Sequence, residues 1–329
     1  MQDFHFIHQK MSKMQNWPNL FIVGAVKSGT TSLWAYLKQH PEIYFPEMKE
    51  PHYFTHPHPA PEQRHCIRYI DSEEQYLRLY QDSGQVTYRG DASPSYLWSE
   101  VAAQEIAQCC PDSKIIIILR DPVQRAYAQY LMDFNEGVTD LDFYSALQRD
   151  WTRPDKGWGV SQLYVELGLY HDQIQRYFSL FGRNQVRVLL LEDLQRKPLQ
   201  VLHDLAEFLQ VSPLPFQRID FRRAHNHYAR PRGNWARRLA GNPISRTIGE
   251  YFFPQRWGEY IWRNLFLRKE KKPAIDPQAR DWLIERFQPE MARLEGLLQR
   301  PLPELRRSWP EAELHHAAGH PLSTESSLR

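Results

Sequence analysis

The stretch Leu20-Phe-Ile-Val-Gly-Ala-Val-Lys-Ser-Gly-Thr-Thr-Ser-Leu33 decides the fold. Its first four residues are apolar and predict a buried parallel strand, which Gly24 ends. Residues 30–39 have helical composition. A strand, a tight glycine turn and a helix start bring backbone N–H groups and the positive end of a helix dipole to one point. The stretch therefore predicts a binding site for an anion.

The glycine spacing follows the nucleoside-triphosphate loop G-x-x-x-x-G-K-[ST], but the lysine is displaced. Gly24 and Gly29 occupy the two glycine positions, yet Thr30 stands where that loop has its lysine. The lysine lies earlier, at Lys27, inside the turn. A triphosphate enzyme needs its lysine on the β- and γ-phosphates beside a magnesium ion. The displaced position favours a shorter anion, with Lys27 near the bond that breaks.

Composition indicates a globular protein. Of the 329 residues, 42% are hydrophobic and 13% aromatic, and no apolar run approaches the roughly 20 residues of a membrane span. A net charge of +2 implies no general binding of nucleic acid. The polar segment Met1–Trp17 lacks the apolar core of a signal peptide, and three cysteines are too few for a disulfide framework or a zinc site. We therefore expect a cytoplasmic protein without an integral membrane segment.

Predicted strands and helices alternate along the chain, which favours an α/β fold with a mostly parallel central sheet flanked by helices. In such sheets ligands bind beyond the carboxyl ends of the strands. Residues at these predicted ends are Gly24, Asp91, Arg120 and Glu192. We expect one domain over residues 17–310, with a flexible segment at 1–16 and a disordered tail at 311–329.

Two later segments have helical patterns that contain a breaking residue. Gln162–Phe181 predicts a long helix that is broken near Gly168. Asp276–Leu298 predicts a last helix that is interrupted at Pro289, because proline lacks the N–H group that a helix interior uses.

Residues 221–249 form a basic segment without any acidic residue. Its arginines are Arg222, Arg223, Arg230, Arg232, Arg237, Arg238 and Arg246. This composition favours a loop that closes over a phosphorylated ligand, because arginine binds phosphate in a bidentate manner. A solvated basic surface is the alternative.

Taken together, these motifs resemble the sulfotransferases that use 3′-phosphoadenosine 5′-phosphosulfate (PAPS). The resemblance runs from about Trp17 to Trp309 and favours the bacterial and carbohydrate-type branch. It rests on the segments Gly24–Leu33, Lys49–Phe54, Leu119–Tyr130, Gly168–Leu194 and Lys272–Leu298. It implies a P-loop-like architecture and a PAPS-dependent enzyme.

The resemblance also implies which residues hold the donor. The loop for the 5′-phosphate is Lys27, Ser28, Gly29, Thr30, Thr31 and Ser32. Arg120 is similar to the family's ligand for the 3′-phosphate, but the serine that usually follows eight residues later is replaced by Ala128. The residues Arg230, Arg232 and Gly233 resemble the family's loop over the nucleotide.

The implied reaction transfers a sulfuryl group from PAPS to a hydroxyl or amine, and its second product is adenosine 3′,5′-bisphosphate. Lys27 would neutralise charge on the bridging oxygen, so the leaving group would need no metal. The acceptor would lose its proton to Glu50, the first candidate base, or to His52, the second.

Two other functions fit the same sequence. A P-loop nucleotide kinase or NTPase is one, since Leu119-Arg120-Asp121 could end a magnesium-binding strand. A catalytically degenerate nucleotide-binding relative is the other, and Ala128 favours it. The motifs leave open the acceptor, which could be a small molecule or a carbohydrate, the choice between O- and N-sulfation, and the oligomeric state.

Overall fold

The computed structural model describes residues 17–56, 69–154, 156, 161–221, 229–231, 267–269 and 272–310. The predicted flexible segment 1–16 and the predicted tail 311–329 lie outside the described residues. The domain limits derived from the sequence therefore stay predictions.

A parallel five-stranded sheet forms the centre of the described structure. Its strands are β1 (Leu20–Gly24), β2 (Ile43–Tyr44), β3 (Tyr88–Asp91), β4 (Lys114–Leu119) and β5 (Val186–Leu190). They lie in the order β2-β3-β1-β4-β5, and every pairing is parallel. A separate antiparallel pair joins β6 (Ala229–Pro231) to β7 (Leu267–Lys269). The order reverses direction beside β1, the position where ligands bind in such sheets.

Helices lie between the parallel strands in the chain, and further helices follow β5. They are α1 (Thr30–Leu37), α2 (Glu73–Arg78), α3 (Ala102–Cys109), α4 (Pro122–Asn135), α5 (Phe143–Thr152), α6 (Tyr170–Phe181), α7 (Leu191–Arg196), α8 (Pro198–Leu209) and α9 (Pro277–Leu298). Short 3₁₀ turns occur at Pro94–Tyr96, Glu166–Gly168, Leu214–Arg218 and Pro303–Arg306. Within the described ranges, none of the helices combines the length and apolar character that crossing a membrane requires.

The apolar run of β4 shows why the sheet is covered on both faces. Ile115 and Ile117 pack into one apolar cluster with α4, α6 and α9, whereas Ile116 and Ile118 pack into a second cluster with α1 and α8. Successive side chains of a strand point to opposite faces, so an unbroken apolar strand needs two apolar layers. All four isoleucines are fully buried.

The interruption expected at Pro289 is wrong. Helix α9 continues through Pro289, with Phe287 and Met291 both buried in the core. Pro289 and Glu285 lie on the exposed face of the helix, so the carbonyl group that loses its hydrogen-bond donor is near solvent. Packing of the opposite face keeps the helix continuous.

The helix expected over Gln162–Phe181 is only partly formed. Regular helix begins at Tyr170, and Gln162 and Leu163 have left-handed backbone, with φ values of 56° and 52°. Two buried carboxylates bind N–H groups of this segment: Asp133 Oδ2 accepts from Gln162 N at 2.7 Å, and Asp150 Oδ2 accepts from Tyr164 N at 2.9 Å. These tertiary hydrogen bonds hold residues 162–164 in a non-helical conformation that the local pattern does not predict.

Candidate active site

The loop between β1 and α1, residues 25–29, lies at the carboxyl edge of the sheet; we name it the anion loop. Ala25 N donates to Ile118 O at 2.8 Å, which fastens the loop to the next strand. Gly29 has φ 93°, and a Cβ there would lie 2.5 Å from Leu191 Cδ1, so any other residue would be strained at this position. None of the described side chains caps the start of α1 at Gly29. The first N–H groups of α1 are therefore available to an anion.

The predicted side chains of the loop have different exposures. Ser28 is fully buried beside Tyr170, and Thr30 is 5% exposed. Thr31 and Ser32 are half-buried in the first turn of α1. The structure thus brings residues 28–32 together at the start of α1, and the Ser28 side chain faces the protein interior.

Lys27 stands in the anion loop without an ionic partner among the described residues. Its Nζ donates to Met132 Sδ at 3.4 Å, a weak acceptor. Burial lowers the pKa of Lys27; the carboxylates of Glu136 and Asp133 oppose that shift, and Arg120 adds to it. The amine is desolvated and faces acceptors that bind it only weakly.

Arg120 follows β4, and its side chain binds the backbone of the anion loop. Its Nη1 donates to Lys27 O at 3.0 Å, and its own carbonyl oxygen accepts from Tyr170 OH at 2.9 Å. Burial also lowers the pKa of Arg120. One N–H group of the guanidinium therefore holds the loop, and among the described residues the others have no acceptor and are left for a ligand.

Lys272 is a site residue that sequence reasoning missed. It comes from the segment before α9, and its Nζ donates to Gln124 Oε1 at 3.2 Å and lies 4.6 Å from the ring centroid of Tyr127. Its pKa is lowered to about 8, mainly by burial; the Arg120 and Lys27 charges contribute to the shift, and Asp121 opposes it. Gln124 lies one helical turn before Ala128, so Lys272 stands beside the position where the resemblance expects a serine.

We name Lys27, Arg120 and Lys272 the cation cluster. The Arg120 charge lowers the pKa of both lysines, and the Lys27 charge lowers the pKa of Lys272. None of the three forms an ion pair with a carboxylate among the described residues. A buried cation without a counterion is costly, and a phosphorylated ligand would relieve that cost. The cluster and the uncapped helix start therefore fit the two phosphate groups of PAPS.

Glu50 lies between two basic side chains. Lys49 Nζ contacts Glu50 Oε1, and His52 Nε2 lies 3.6 Å from Glu50 Oε2. The Glu50 side chain is 35% exposed, whereas Lys49 is 15% exposed. Burial lowers the pKa of Lys49 to about 7, and the Lys27 charge adds to the shift while Asp91 opposes it. The carboxylate is held in place and reaches solvent.

His52 is enclosed in a hydrogen-bonded network instead. Its Nδ1 lies 2.7 Å from Ser95 Oγ, and its backbone N donates to Ser93 Oγ at 3.1 Å. Ser93 in turn donates to Asp91 Oδ1 at 2.7 Å. Burial lowers the pKa of His52 to about 3, although the Asp91 charge opposes the shift. A ring that stays neutral in this way is a poor proton acceptor at neutral pH.

The three predicted catalytic residues share a rare backbone conformation. Lys27, Glu50 and His52 have φ values of 63°, 64° and 54°. Left-handed backbone costs non-glycine residues roughly 1–3 kcal/mol and clusters at functional sites. The structure therefore stores strain at the positions that the sequence singles out.

Asp121, the residue after Arg120, binds the distant segment that contains Ser308. Sequence reasoning also missed this contact. Asp121 Oδ1 accepts from Val123 N and Gln124 N at the start of α4, and its Oδ2 accepts from Ser308 N at 2.9 Å and Ser308 Oγ at 2.7 Å. The next residue back, Arg307, pairs with Glu192 after β5. Residues 307–308 thus bridge the ends of two neighbouring strands, and no local pattern signals this.

The predicted nucleotide loop is only partly within the described residues. Arg230 lies in β6, opposite Arg268 of β7. Arg232 and Gly233 lie outside the described residues. Their assignment to the nucleotide stays a prediction.

Comparison with known proteins identifies the family. A sequence model described as the sulfotransferase family matches residues 18–215, more than half of the chain. The chain belongs to the sulfotransferase family. A crystal structure of a sulfotransferase from Alicyclobacillus acidocaldarius is 31% identical and has a TM-score of 0.67, and the alignment covers 88% of this chain and 99% of that chain. The predicted family, its enzymatic class and the predicted α/β fold are confirmed.

Curated relatives of this sulfotransferase carry names that refer to carbohydrates. Carbohydrate sulfotransferase 15 of Homo sapiens is 26% identical over 258 residues, which cover 63% of this chain and 46% of that protein. The bifunctional heparan sulfate N-deacetylase/N-sulfotransferase 4 of Mus musculus is 25% identical over 318 residues, 90% of this chain and 31% of that protein. The chain spans about half the length of these relatives, or less.

We predict that the His52 ring stays neutral from about pH 5 to pH 8, since burial holds its pKa at about 3. NMR titration of the His52 ring carbons should show no shift over that range. The same ring in urea-unfolded protein should titrate near the ordinary histidine value of about 6.5. A titration midpoint of the His52 ring near neutral pH in the folded protein would contradict this prediction and would make His52 a candidate base again.

We predict that Ser308→Ala lowers the free energy of unfolding by about 1.5 kcal/mol, because it removes a hydroxyl that donates to the buried Asp121 carboxylate. Chemical denaturation measures this loss. Ser145→Ala is the matched control, since Ser145 Oγ donates to the exposed carboxylate of Asp142 at the same distance of 2.7 Å. Equal losses of unfolding free energy in both variants would show that burial of Asp121 does not strengthen its hydrogen bond with Ser308.

Proposed function

We propose that this chain moves a sulfuryl group from PAPS to a hydroxyl or amine of a carbohydrate or small-molecule acceptor and releases adenosine 3′,5′-bisphosphate. The observation that carries the proposal is the cation cluster, which crowds three desolvated charges around an uncapped helix start. Membership of the sulfotransferase family supports sulfuryl as the group that is transferred.

The donor would be held by backbone and side chains together. The N–H groups of residues 29–32 and the hydroxyls of Thr30 and Thr31 would bind the 5′-phosphate at the positive end of α1. Arg120 and Lys272 would bind the 3′-phosphate, and the Lys272 amine would take the place of the serine hydroxyl that Ala128 cannot offer. When bound, PAPS supplies a sulfuryl group on a phosphate that leaves readily.

Lys27 and Glu50 would act on the two sides of the transferred group. Glu50 takes the proton of the acceptor while the acceptor oxygen or nitrogen bonds to sulfur. Lys27 stabilises the electron pair that remains on the phosphate oxygen when the old bond to sulfur breaks. His52 orients Glu50: with its Nδ1 accepting from Ser95, its Nε2–H group faces the Glu50 carboxylate.

The hydrogen bonds of Asp121 argue against the alternative function of a kinase. A kinase of this fold would use the carboxylate after β4 to hold magnesium. Both Asp121 oxygens already accept hydrogen bonds, two from the start of α4 and two from Ser308. That carboxylate acts as a helix cap and an anchor, which supports sulfuryl transfer without a metal.

Three finer points belong to the proposal. The carbohydrate class of acceptor is supported by the names of the curated relatives, which are much longer proteins. Activity without a metal is supported by the engagement of Asp121. A cytoplasmic location rests on the sequence alone, and cell fractionation would test it.

We predict that Lys27→Ala and Glu50→Gln each lower turnover at least about 100-fold, because each removes a charge that acts in the transition state. Transfer of radiolabelled sulfate from PAPS to a panel of polysaccharides, alcohols and amines in EDTA measures turnover. Circular dichroism should show an unchanged fold.

The chain offers matched controls for both variants. Lys38→Ala and Glu47→Gln remove the partners of an ion pair of 2.8 Å at the far end of α1, and both should keep near-normal rates. If Glu50→Gln keeps full activity at every pH, the base is another group. If turnover needs magnesium and consumes ATP, the protein is a kinase.

We predict that adenosine 3′,5′-bisphosphate stabilises the protein by about 2.7 kcal/mol at 100 times its dissociation constant. A thermal shift of several degrees should follow, and Lys272→Ala should need a higher ligand concentration for the same shift. Lys38→Ala should behave as the unmodified chain does. The absence of any shift at millimolar ligand would overturn the donor assignment.

A further inference from the structure

One face of α4 borders the cation cluster. Gln124, Ala128 and Met132 are half-buried, whereas the residues between them, 125–127 and 129–131, are all buried. A spacing of four residues places the three side chains in one row along the helix, which we name the α4 row. Within residues 121–133, this row is the part of the chain that a ligand can reach. None of the roles proposed above uses Met132.

Both ends of the α4 row contact a lysine of the cation cluster. Gln124 Oε1 accepts from Lys272 Nζ at 3.2 Å, and Met132 Sδ accepts from Lys27 Nζ at 3.4 Å. A helix rises about 1.5 Å per residue, so the two contacts lie roughly 12 Å apart along α4. Ala128, between them, adds only a methyl group. The row therefore meets Lys272 with an amide oxygen and Lys27, the lysine proposed to act on the breaking bond, with a thioether.

A carboxylate follows Met132 in the chain but does not take its place. Asp133 is fully buried, and its Oδ2 accepts from Gln162 N at 2.7 Å and from Tyr164 OH at 2.9 Å. Successive residues of a helix are turned by about 100°, so Asp133 faces these groups while Met132 faces Lys27. Burial lowers the pKa of Lys27, and the Asp133 charge opposes the shift without an ion pair. The register of α4 thus gives Lys27 a neutral partner, although an ionic one is the next residue.

A thioether differs from the oxygen acceptors that other side chains offer. Sulfur accepts a hydrogen bond weakly, so an ammonium group that it holds keeps most of its charge for a second partner. A carboxylate or amide oxygen would bind the buried amine more firmly, and that bond would have to break before the amine could reach the donor. Methionine is also unbranched and flexible, so its side chain can follow the amine over a short distance.

We propose that Met132 is a positioning residue that holds the Lys27 ammonium group beside the anion loop without neutralising it. During transfer the amine leaves the sulfur and donates to the phosphate oxygen that keeps the electron pair of the broken bond. The inference rests on the proposed sulfuryl transfer and deepens it. A weaker partner than methionine would leave the amine without a fixed position, and a stronger one would retain it.

Turnover in two variants tests both sides of this balance. Met132→Leu removes the sulfur at nearly constant volume and should lower kcat about threefold. Met132→Gln offers an amide oxygen and should lower kcat about tenfold, because hydrogen bonds to charged groups are the stronger ones. The KM for PAPS should change less than roughly twofold in both variants, since Lys27 acts on charge that develops in the transition state. Full kcat in either variant would overturn the positioning role.

A remote substitution is the control for these rates. Leu180→Gln adds an amide at an exposed position of α6 and should keep the normal kcat. Chemical denaturation should show that all three variants are folded at the assay temperature.

A measurement without donor or acceptor substrate tests the contact itself. NMR titration of protein with isotope-labelled lysine follows the Lys27 amine, whose signal is assigned by its loss in Lys27→Arg. Met132→Glu should raise the pKa of Lys27 by at least about one pH unit, because a negative charge replaces the sulfur. Leu180→Glu should leave this pKa unchanged. An unchanged Lys27 pKa in Met132→Glu would overturn the inference.

These measurements separate the inference from the proposed function. If the unmodified chain transfers sulfate from PAPS and the Met132 variants behave as it does, the positioning role fails and the proposed function stands. If the unmodified chain shows no turnover of PAPS with any acceptor, the proposed function fails, and the positioning role fails with it whatever the titration shows.

Discussion

The desolvation of cations at the carboxyl edge of the sheet is the constraint on which the site depends. Burial lowers the pKa of Lys27, Arg120 and Lys272, and the Arg120 charge lowers the pKa of both lysines further. The fold tolerates this arrangement because strong hydrogen bonds elsewhere hold the residues in place. An anion with two phosphate groups would turn that repulsion into binding, because its charge compensates all three cations at once.

The parts that hold the cluster come from distant points of the chain. The carbonyl oxygen of Arg120 accepts from Tyr170, and its neighbour Asp121 is bound by Ser308. Lys272 is kept near α4 because Tyr127 OH donates to the carbonyl oxygen of Ala274 at 3.2 Å. Through these contacts, the geometry around the anion loop depends on Tyr170 and on the segment that contains Ala274 and Ser308. A residue far from the bond that breaks can therefore change donor binding.

The sequence predicts the sheet and the anion loop well because both follow from local patterns. The isoleucines of β4 and the glycines at 24 and 29 each impose a backbone conformation on their own neighbours. Lys272 and Ser308 act through contacts with residues more than a hundred positions away, which no periodicity encodes. Gln162 is a further case: the pattern around it predicts a helix, but its N–H group is bound by the buried Asp133 and its backbone is left-handed. Sequence reasoning fails where contacts with distant side chains fix the backbone.

Whether Glu50 or His52 is the better proton acceptor depends on the surroundings of each side chain rather than on its residue type. Free histidine titrates nearer neutrality than glutamate and would be the better base in water. Burial removes this advantage of His52 by lowering its pKa, since the ring is enclosed by Ser95 and its neighbours, while a third of the Glu50 side chain reaches solvent. A ring fixed in one neutral state can present a constant N–H group to the carboxylate. Because His52 is enclosed and Glu50 reaches solvent, the Glu50 carboxylate is the group of the two that can accept a proton and return it to solvent.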